Sequence, residues 1–287
     1  RQRYVVYSPN IDDEYWNQRY LRDKFSEAIE KKWINVFYQP IIRADSGKIC
    51  NFEALARWID PVKGMIAPDM FIPVLEKYHL IPQLGAYMLE QVIQQVNIRA
   101  ASGIPLEPVS VNLSVLDFEA NDMVSLIVNL LKKYDVAAKW IVVEITERDI
   151  AQTVSVFKQQ IKALRRHGIQ VWVDDFGSGY SALNVLNQYE FDLLKLDMQF
   201  LRQLDENRGA NRVIIKSIVC AAHELGIRTL TEGVETEAHH RFLKEVGCDK
   251  EQGYYFSKPR PMEELLGEGM RLPRETEEEA HRYESRF

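Results

Sequence analysis

From residue 109 onward the chain alternates short apolar runs of strand length with longer stretches of helical period, and this rhythm restricts the fold more than any other feature. Residues 109–112, 140–144, 171–173, 191–196, 228–232 and 251–256 read as strands. Residues 123–134, 150–167, 212–225 and 237–246 read as the helices between them. Upstream, residues 36–42 and 48–58 are strand-like and are separated by Ala44, Asp45, Ser46 and Gly47, a turn by composition, so they pair as a hairpin. A helix over 14–31, capped by Asp12 or Asp13, precedes the hairpin. Pro68 and Pro82 open two further helices, 68–78 and 82–100, because proline suits the first helical turn. With the hairpin the count is eight strands, which in 287 residues favours a closed (β/α)8 TIM-type barrel, class α/β, over an open sheet. An open doubly wound sheet is the runner-up. No G-x-G-x-x-G follows a strand, which counts against its dinucleotide-binding version.

Composition narrows the partners. A hydrophobic content of 46% supplies a sizeable core, and a formal charge of −6 leaves no basic excess to follow a long phosphate backbone, so duplex nucleic acid is not expected. Cys50, Cys220 and Cys248 contain no C-x-x-C pair and fit reduced thiols in a reducing compartment. No apolar run is long enough to span a bilayer and no signal-peptide core follows the first residues, so a cytoplasmic location is expected. The chain opens without Met, as expected of a fragment of a longer protein whose remainder can carry a membrane anchor. Residues 275–287 are highly charged and read as a solvated helix or tail.

The chemistry gathers at strand ends. Val171, Trp172 and Val173 run straight into Asp174 and Asp175, followed by a Gly177-Ser178-Gly179 turn. Successive strand residues point to opposite faces, so both carboxylates serve one site only where the strand ends. Taken alone, the segment fits equally well a turn in which Asp175 caps a helix beginning near Ser181. Glu53, Asn112, Glu144, Lys195, Glu232 and Gln252 stand at other strand ends, and a barrel brings all such ends to one face. This set offers oxygen donors with neither His nor Cys, which suits Mg²⁺ or Mn²⁺ rather than zinc. Adjacent aspartates could bridge two ions about 3.5–4 Å apart, an arrangement that suits attack of water on phosphodiesters. Lys195 could orient or deprotonate that water, or merely pair with Asp174 or Asp197. The adjacent His239 and His240 diverge on a helix and read as surface residues. The tryptophans at 16, 33, 58, 140 and 172 read as core or interface, Trp58 least firmly.

Eight segments in order resemble the EAL domain, a family of bacterial phosphodiesterases acting on cyclic di-GMP. They are Tyr38-Gln39-Pro40, Glu53-Ala54-Leu55-Ala56-Arg57-Trp58, Val111-Asn112-Leu113-Ser114, Glu144-Ile145-Thr146-Glu147, the Asp174 to Ser181 stretch, Lys195-Leu196-Asp197, Glu232-Gly233-Val234-Glu235-Thr236 and Gln252-Gly253-Tyr254-Tyr255-Phe256-Ser257-Lys258-Pro259. Each is weak alone, and the ordered set is specific. The resemblance implies a barrel whose first strand is antiparallel, and hydrolysis of cyclic di-GMP to linear pGpG. It implies Glu53, Asn112, Glu144 and Asp174 as ligands of one metal, with Asp174 and Asp175 at a second. Lys195 would act on the water, Glu232 would support the metal centre, and Gln39 and Arg57 would face the substrate. Asp197, Glu235 and Gln252 would line or brace the site, while Glu147 would hold the loop after the paired aspartates, which the family also places at a homodimer interface. Ser178 replaces the commoner threonine and Ala182 the commoner serine; neither is a ligand.

The resulting division is residues 1–19 as the remnant of an upstream regulatory domain or linker, 20–270 as the phosphodiesterase barrel and 271–287 as a charged tail. A catalytically silent cyclic di-GMP receptor is the alternative from another class, and a barrel phosphoesterase with another substrate is the third.

Overall fold

The computed structural model describes residues 9–151, 155–177, 189–204, 209–267 and 272–284. Nine strands are described: β1 (Ile34–Arg43), β2 (Ile49–Asp60), β3 (Gly64–Ile66), β4 (Val109–Asn112), β5 (Ile141–Thr146), β6 (Gln170–Phe176), β7 (Leu193–Leu196), β8 (Arg228–Thr231) and β9 (Lys250–Glu251). Their order is β1-β9-β8-β7-β6-β5-β4-β2-β3, and β1 also pairs with β2, so eight strands close into a barrel while β3 hangs on β2 outside it. β1 is antiparallel to both neighbours, β2 and β9, and the other barrel pairs are parallel. The barrel with an antiparallel first strand is thereby confirmed, and the open sheet is excluded.

Alternation along each strand separates two cores. Outward residues such as Phe52, Val111, Val143 and Val173 pack beneath the helices in the large apolar core. Inward residues Ile41, Val142, Trp172, Leu193 and Leu230 fill the barrel itself, joined by Cys50 where the β1–β2 register shifts. Trp58 is fully buried between Phe25 and Phe71, with ring centroids 6.3 and 5.8 Å away, and this clamps the first helix onto β2. No helix among the described residues is long and apolar enough to cross a membrane.

Several elements differ from expectation. The first helix is Pro9–Glu30, so it starts before Asp12 and runs without a break past residue 20. In the place of the helix expected over 150–167, Glu147–Ala151 and Ser155–Arg166 are helical, and 152–154 lie outside the described residues. The helix Val115–Ala120 and strand β3 are too short to give a period. The strand expected over 251–256 is only Lys250–Glu251, because the backbone turns at Gly253 against Val234. A Cβ on Gly253 would lie 2.1 Å from Val234 O, and the turn is held by Tyr255 N donating to Val234 O at 2.9 Å. The helix expected near Ser181, and Ser178 and Ala182 themselves, lie outside the described residues.

Residues 272–284 meet the expectation of a solvated helix or tail only in part: Glu277 and Glu278 on the helix Glu277–Glu284 are about three-quarters exposed, but other side chains are tied to the barrel. Ile49 and Arg274 form a parallel bridge, and Arg43 grips Glu275 with Nε–Oε1 at 3.0 Å and Nη2–Oε2 at 2.7 Å, both side chains under a tenth exposed. Tyr283 lies 3.8 Å beneath the Arg43 guanidinium and donates to Asp249 Oδ1 at 3.0 Å. This strap crosses the end of the barrel where β8 begins. The charge that made it look solvated is partly spent on a partner 232 residues away in sequence.

Candidate active site

Toward the opposite end of the barrel, polar residues at or near the strand ends converge on one ammonium, joined by Glu53, which lies within β2 and not at its expected end. Lys195 Nζ, fully buried on β7, lies 2.7 Å from Glu144 on β5, 2.8 Å from Glu232 after β8, 3.0 Å from Asp174 on β6 and 3.7 Å from Glu53 on β2. Asn112 Nδ2 donates to Glu53 Oε1 at 2.8 Å, and Gln252 Nε2 reaches Glu53 Oε2 at 2.5 Å and Gln39 Oε1 at 3.0 Å. Seven of the residues expected at the site are thus linked directly to Lys195 or Glu53, and an eighth, Gln39, through Gln252. The pairing of Lys195 with Asp174, the bland alternative in sequence, is present, but as one of four carboxylate contacts; no ion pair to Asp197 is described.

The puzzle of two adjacent aspartates at one site is answered by backbone geometry. The register of β6 on β7 slips between Val173 and Phe176, and Asp175 sits in the slip with φ of 54°. That left-handed conformation costs on the order of 1–2 kcal/mol for an L-residue, and aspartate tolerates it better than most. Asp175 N donates to Asp174 Oδ1 at 2.9 Å, a local bond that supports the kink. The strand continues to Phe176 rather than ending at the aspartates. As a result Asp174, Asp175 and Glu232 present oxygens all within 4.8 Å of one another.

This crowding shapes the charges. Burial pushes Glu232 up to about 8, with Asp174 and Glu53 adding to the push and Lys195 opposing it. Burial likewise holds Glu144 well above the usual carboxylate range despite Lys195. Burial, Asp174 and Asp197 push Asp175 up to about 6. For Lys195, burial works against the charge, but the carboxylates of Asp174, Glu144, Glu232 and Glu53 outweigh it and keep the ammonium protonated. Glu144 Oε1 and Gln252 Oε1 are buried with no hydrogen-bond partner. Orphaned acceptors in an all-oxygen cluster fit hard divalent cations.

The remaining expected residues stand around this centre. Glu147, buried just past β5, accepts a hydrogen bond from Gly177 N at 2.8 Å, while its Oε1 has no partner. Arg57 lines a cavity of about 840 Å³ together with Asn112 and Asp175, and burial lowers its pKa. Asp197 caps Gln199 N at 2.7 Å and faces Asp175 instead of lining either large cleft. Glu235 stands at the rim of a second cavity, of about 300 Å³, with Gln39, Glu53 and Asp174. Met198, Arg202 and Tyr254 also line it. Sequence reading missed these three, although Met198 and Arg202 follow the end of β7 by less than two helical turns. His240 is not a plain surface residue: its Nδ1 lies 2.8 Å from buried Glu251 Oε2 and its ring stacks on Tyr255.

An α/β barrel with an acidic, cation-seeking rim and clefts on both sides defines a class of protein, and comparison with known proteins names the family. The model of the EAL domain matches residues 22–259, and the chain belongs to that family. It is 30% identical over 266 residues to the bifunctional diguanylate cyclase/cyclic di-GMP phosphodiesterase MucR of Pseudomonas aeruginosa, covering 93% of this chain and 39% of MucR. It is 31% identical over 262 residues to the oxygen sensor protein DosP of Escherichia coli, covering 91% of this chain and 32% of DosP. The chain therefore spans 32–39% of these relatives' length. Among solved structures, the PaMucR phosphodiesterase in complex with c-di-GMP superposes with a TM-score of 0.81 at 32% identity, over 86% of this chain and 99% of that one. The EAL enzyme Bd1971 with cAMP and cyclic di-GMP bound gives 0.80 at 27% identity, over 90% and 70%.

Proposed function

We propose that this chain is a metal-dependent phosphodiesterase that hydrolyses cyclic di-GMP to linear pGpG. The observation that carries the reading is the ring of Glu53, Glu144, Asp174 and Glu232 around Lys195, with orphaned buried oxygens and a cleft on either side. The complexes of related structures with c-di-GMP support the choice of substrate. Glu53, Asn112, Glu144 and Asp174 would hold one Mg²⁺ or Mn²⁺, and Asp174 with Asp175 a second. When bound, such ions acidify a water and neutralise charge on the phosphodiester.

The residues of the chain do the rest. Lys195 is an ammonium among carboxylates, so it orients the attacking water by donating a hydrogen bond and does not remove its proton. Glu232 braces Lys195 and the cluster. Gln252 and Gln39 fix the carboxylate of Glu53 from behind, which limits its rotamers. Arg57, half-buried beside Asn112, offers its guanidinium to a phosphate. Glu147 is a positioning residue: it holds Gly177 and thereby the kinked Asp175 two residues earlier. A soluble cyclic dinucleotide as substrate suits a cytoplasmic, homodimeric signalling domain of a longer regulated protein.

The test is direct. Purified protein is incubated with cyclic di-GMP and Mg²⁺ or Mn²⁺, and pGpG is followed by chromatography. Turnover supports the enzyme, binding without turnover assigns a receptor, and neither rejects the substrate.

A further inference from the structure

The two clefts share a wall. Leu55 lines both, while Asp174 faces the smaller and Asp175 the larger. A cyclic dinucleotide whose scissile phosphate lies at this divide sends one base to each side, because its two nucleotides are related by a near two-fold axis. In the smaller cleft Arg202 is the one cation among the described lining residues. Its Nη2 lies 3.9 Å from Glu235 Oε1, beyond hydrogen-bond distance, with both side chains about half exposed. No hydrogen bond to either side chain is described. A guanidinium fork and a carboxylate thus stand side by side at the mouth of the cleft as a loose, half-exposed ion pair, with their hydrogen-bonding edges open to a ligand.

Their spacing is fixed by the backbone beneath them. Gly233, with φ of 73°, is pressed against Met198, where a Cβ would lie 2.4 Å from Met198 Cβ. Met198 leads directly into the helix Gln199–Arg202, so the loop carrying Glu235 and the helix carrying Arg202 are packed as one piece. Tyr254, 60% exposed on the same cleft, offers a ring face on which a base can stack.

Guanine is complementary to this pair. It presents O6 and N7 as adjacent acceptors, which an arginine fork meets bidentately, and N1–H and N2–H₂ as donors on the neighbouring edge, which a carboxylate accepts. Adenine places an amino donor where guanine has O6 and has no N1–H, so the same pair opposes it. We infer that Arg202 is a specificity-determining residue that, with Glu235, selects guanine in the smaller cleft. The inference rests on the phosphodiesterase reading above and adds the base preference of one subsite.

The experiment compares wild type with Arg202→Ala and Arg202→Lys. KM and kcat are measured for cyclic di-GMP, and cyclic di-AMP is titrated as a competitor. Calorimetric titration of cyclic di-GMP in Ca²⁺ reads binding without relying on turnover. Arg202→Ala should raise KM and weaken binding on the order of 10- to 100-fold, the size of one bidentate base contact, with kcat within about two-fold. Its preference for cyclic di-GMP over cyclic di-AMP should fall by a similar factor, and Arg202→Lys, which lacks the fork, should recover little of it. A KM and a base preference both within about two-fold of wild type in Arg202→Ala overturn the inference while leaving the phosphodiesterase intact. A wild-type protein that neither binds nor cleaves cyclic di-GMP overturns both.

Discussion

Glu275 is the place where the barrel base can be opened with one substitution. Its carboxylate takes two hydrogen bonds from Arg43, and both side chains are almost wholly shielded from water. Glu275→Ala leaves the guanidinium buried with one charge partner gone, Nη1 already unsatisfied, and only the Tyr283 ring 3.8 Å away. Breaking one side of a buried pair costs about 3–5 kcal/mol, since the stranded charge keeps its desolvation penalty and loses its compensation. In a domain of this size that corresponds to a fall in Tm of about 6–20 °C. Replacing both partners with apolar residues, Arg43→Met with Glu275→Leu, should recover most of the loss, because no charge is then left in the dark. Thermal and urea unfolding followed by circular dichroism read both variants. Turnover measured well below the transition should be unchanged in Glu275→Ala, as the pair sits at the barrel end opposite Lys195. A stability within about 0.5 kcal/mol of wild type, the scale of an ordinary surface change, would refute the reasoning. So would a double variant no more stable than the single one.

Further expectations concern the site and the barrel interior. Turnover should require Mg²⁺ or Mn²⁺ and be lost with Ca²⁺, which takes more ligands at longer distances; full turnover after exhaustive chelation would contradict this. Glu53→Ala should lose both metal affinity and turnover, whereas Lys195→Ala should retain metal and lose rate; calorimetric metal titration beside the assay separates them, and equal loss of metal in both removes Lys195 from the water. Glu147→Ala should lower turnover and weaken the second metal more than the first, because Gly177 N loses its acceptor and the kink at Asp175 loses support; wild-type kinetics with unchanged Mg²⁺ dependence would make Glu147 a bystander. Lys250 is buried over the Trp172 ring with Asn51 Oδ1 at 2.6 Å, and burial lowers it from 10.5 to about 7. Between these values the unfolded chain holds the extra proton, so wild-type stability should rise with pH relative to Lys250→Met, by up to about 1.4 kcal/mol per unit. A stability difference that stays flat from pH 7 to 10 would show that Lys250 is not buried in this way.

Much of this architecture was legible because it is periodic or terminal. The alternation after residue 109 reports a barrel since each βα unit buries one apolar strand under one helix, and that physics is local. The acidic cluster was legible for a related reason: closure sends the strand ends to one rim, so Asn112, Glu144, Asp174 and Glu232 needed no contact information to be grouped, while Glu53 joins them from within β2. What sequence left open about Lys195, catalyst or charge partner, depended on distances across the barrel. The structure places Lys195 Nζ within 3.7 Å of four carboxylates, so the charge-partner reading is present, and orienting the water remains its proposed role. Asp175 was ambiguous because strand alternation forbids adjacent side chains on one face, and only a backbone slip with positive φ lifts that ban.

The C-terminal strap was not legible, and the reason is general to non-local charge. A run such as Glu275 to Glu279 looks solvated because nothing near it in sequence can neutralise it. Its partners Arg43 and Lys48 lie on the first hairpin, more than 230 residues away. Tyr283 is equally mute in sequence, since one aromatic residue in a charged helix gives no period, yet it lies against Arg43 and donates to Asp249. Asp249 in turn takes Thr229 N at 2.8 Å, tying the strap to β8, whose end carries Glu232. The strap thus lies beyond the residues that the EAL domain model matches, 22–259, and still closes the barrel on which the rim is built. A fragment cut at residue 259 would keep every ligand of the candidate metal centre and lose the acceptor for Arg43. Its failure to fold would therefore say nothing about the chemistry of the rim, and only the paired replacement of Arg43 and Glu275 separates the two.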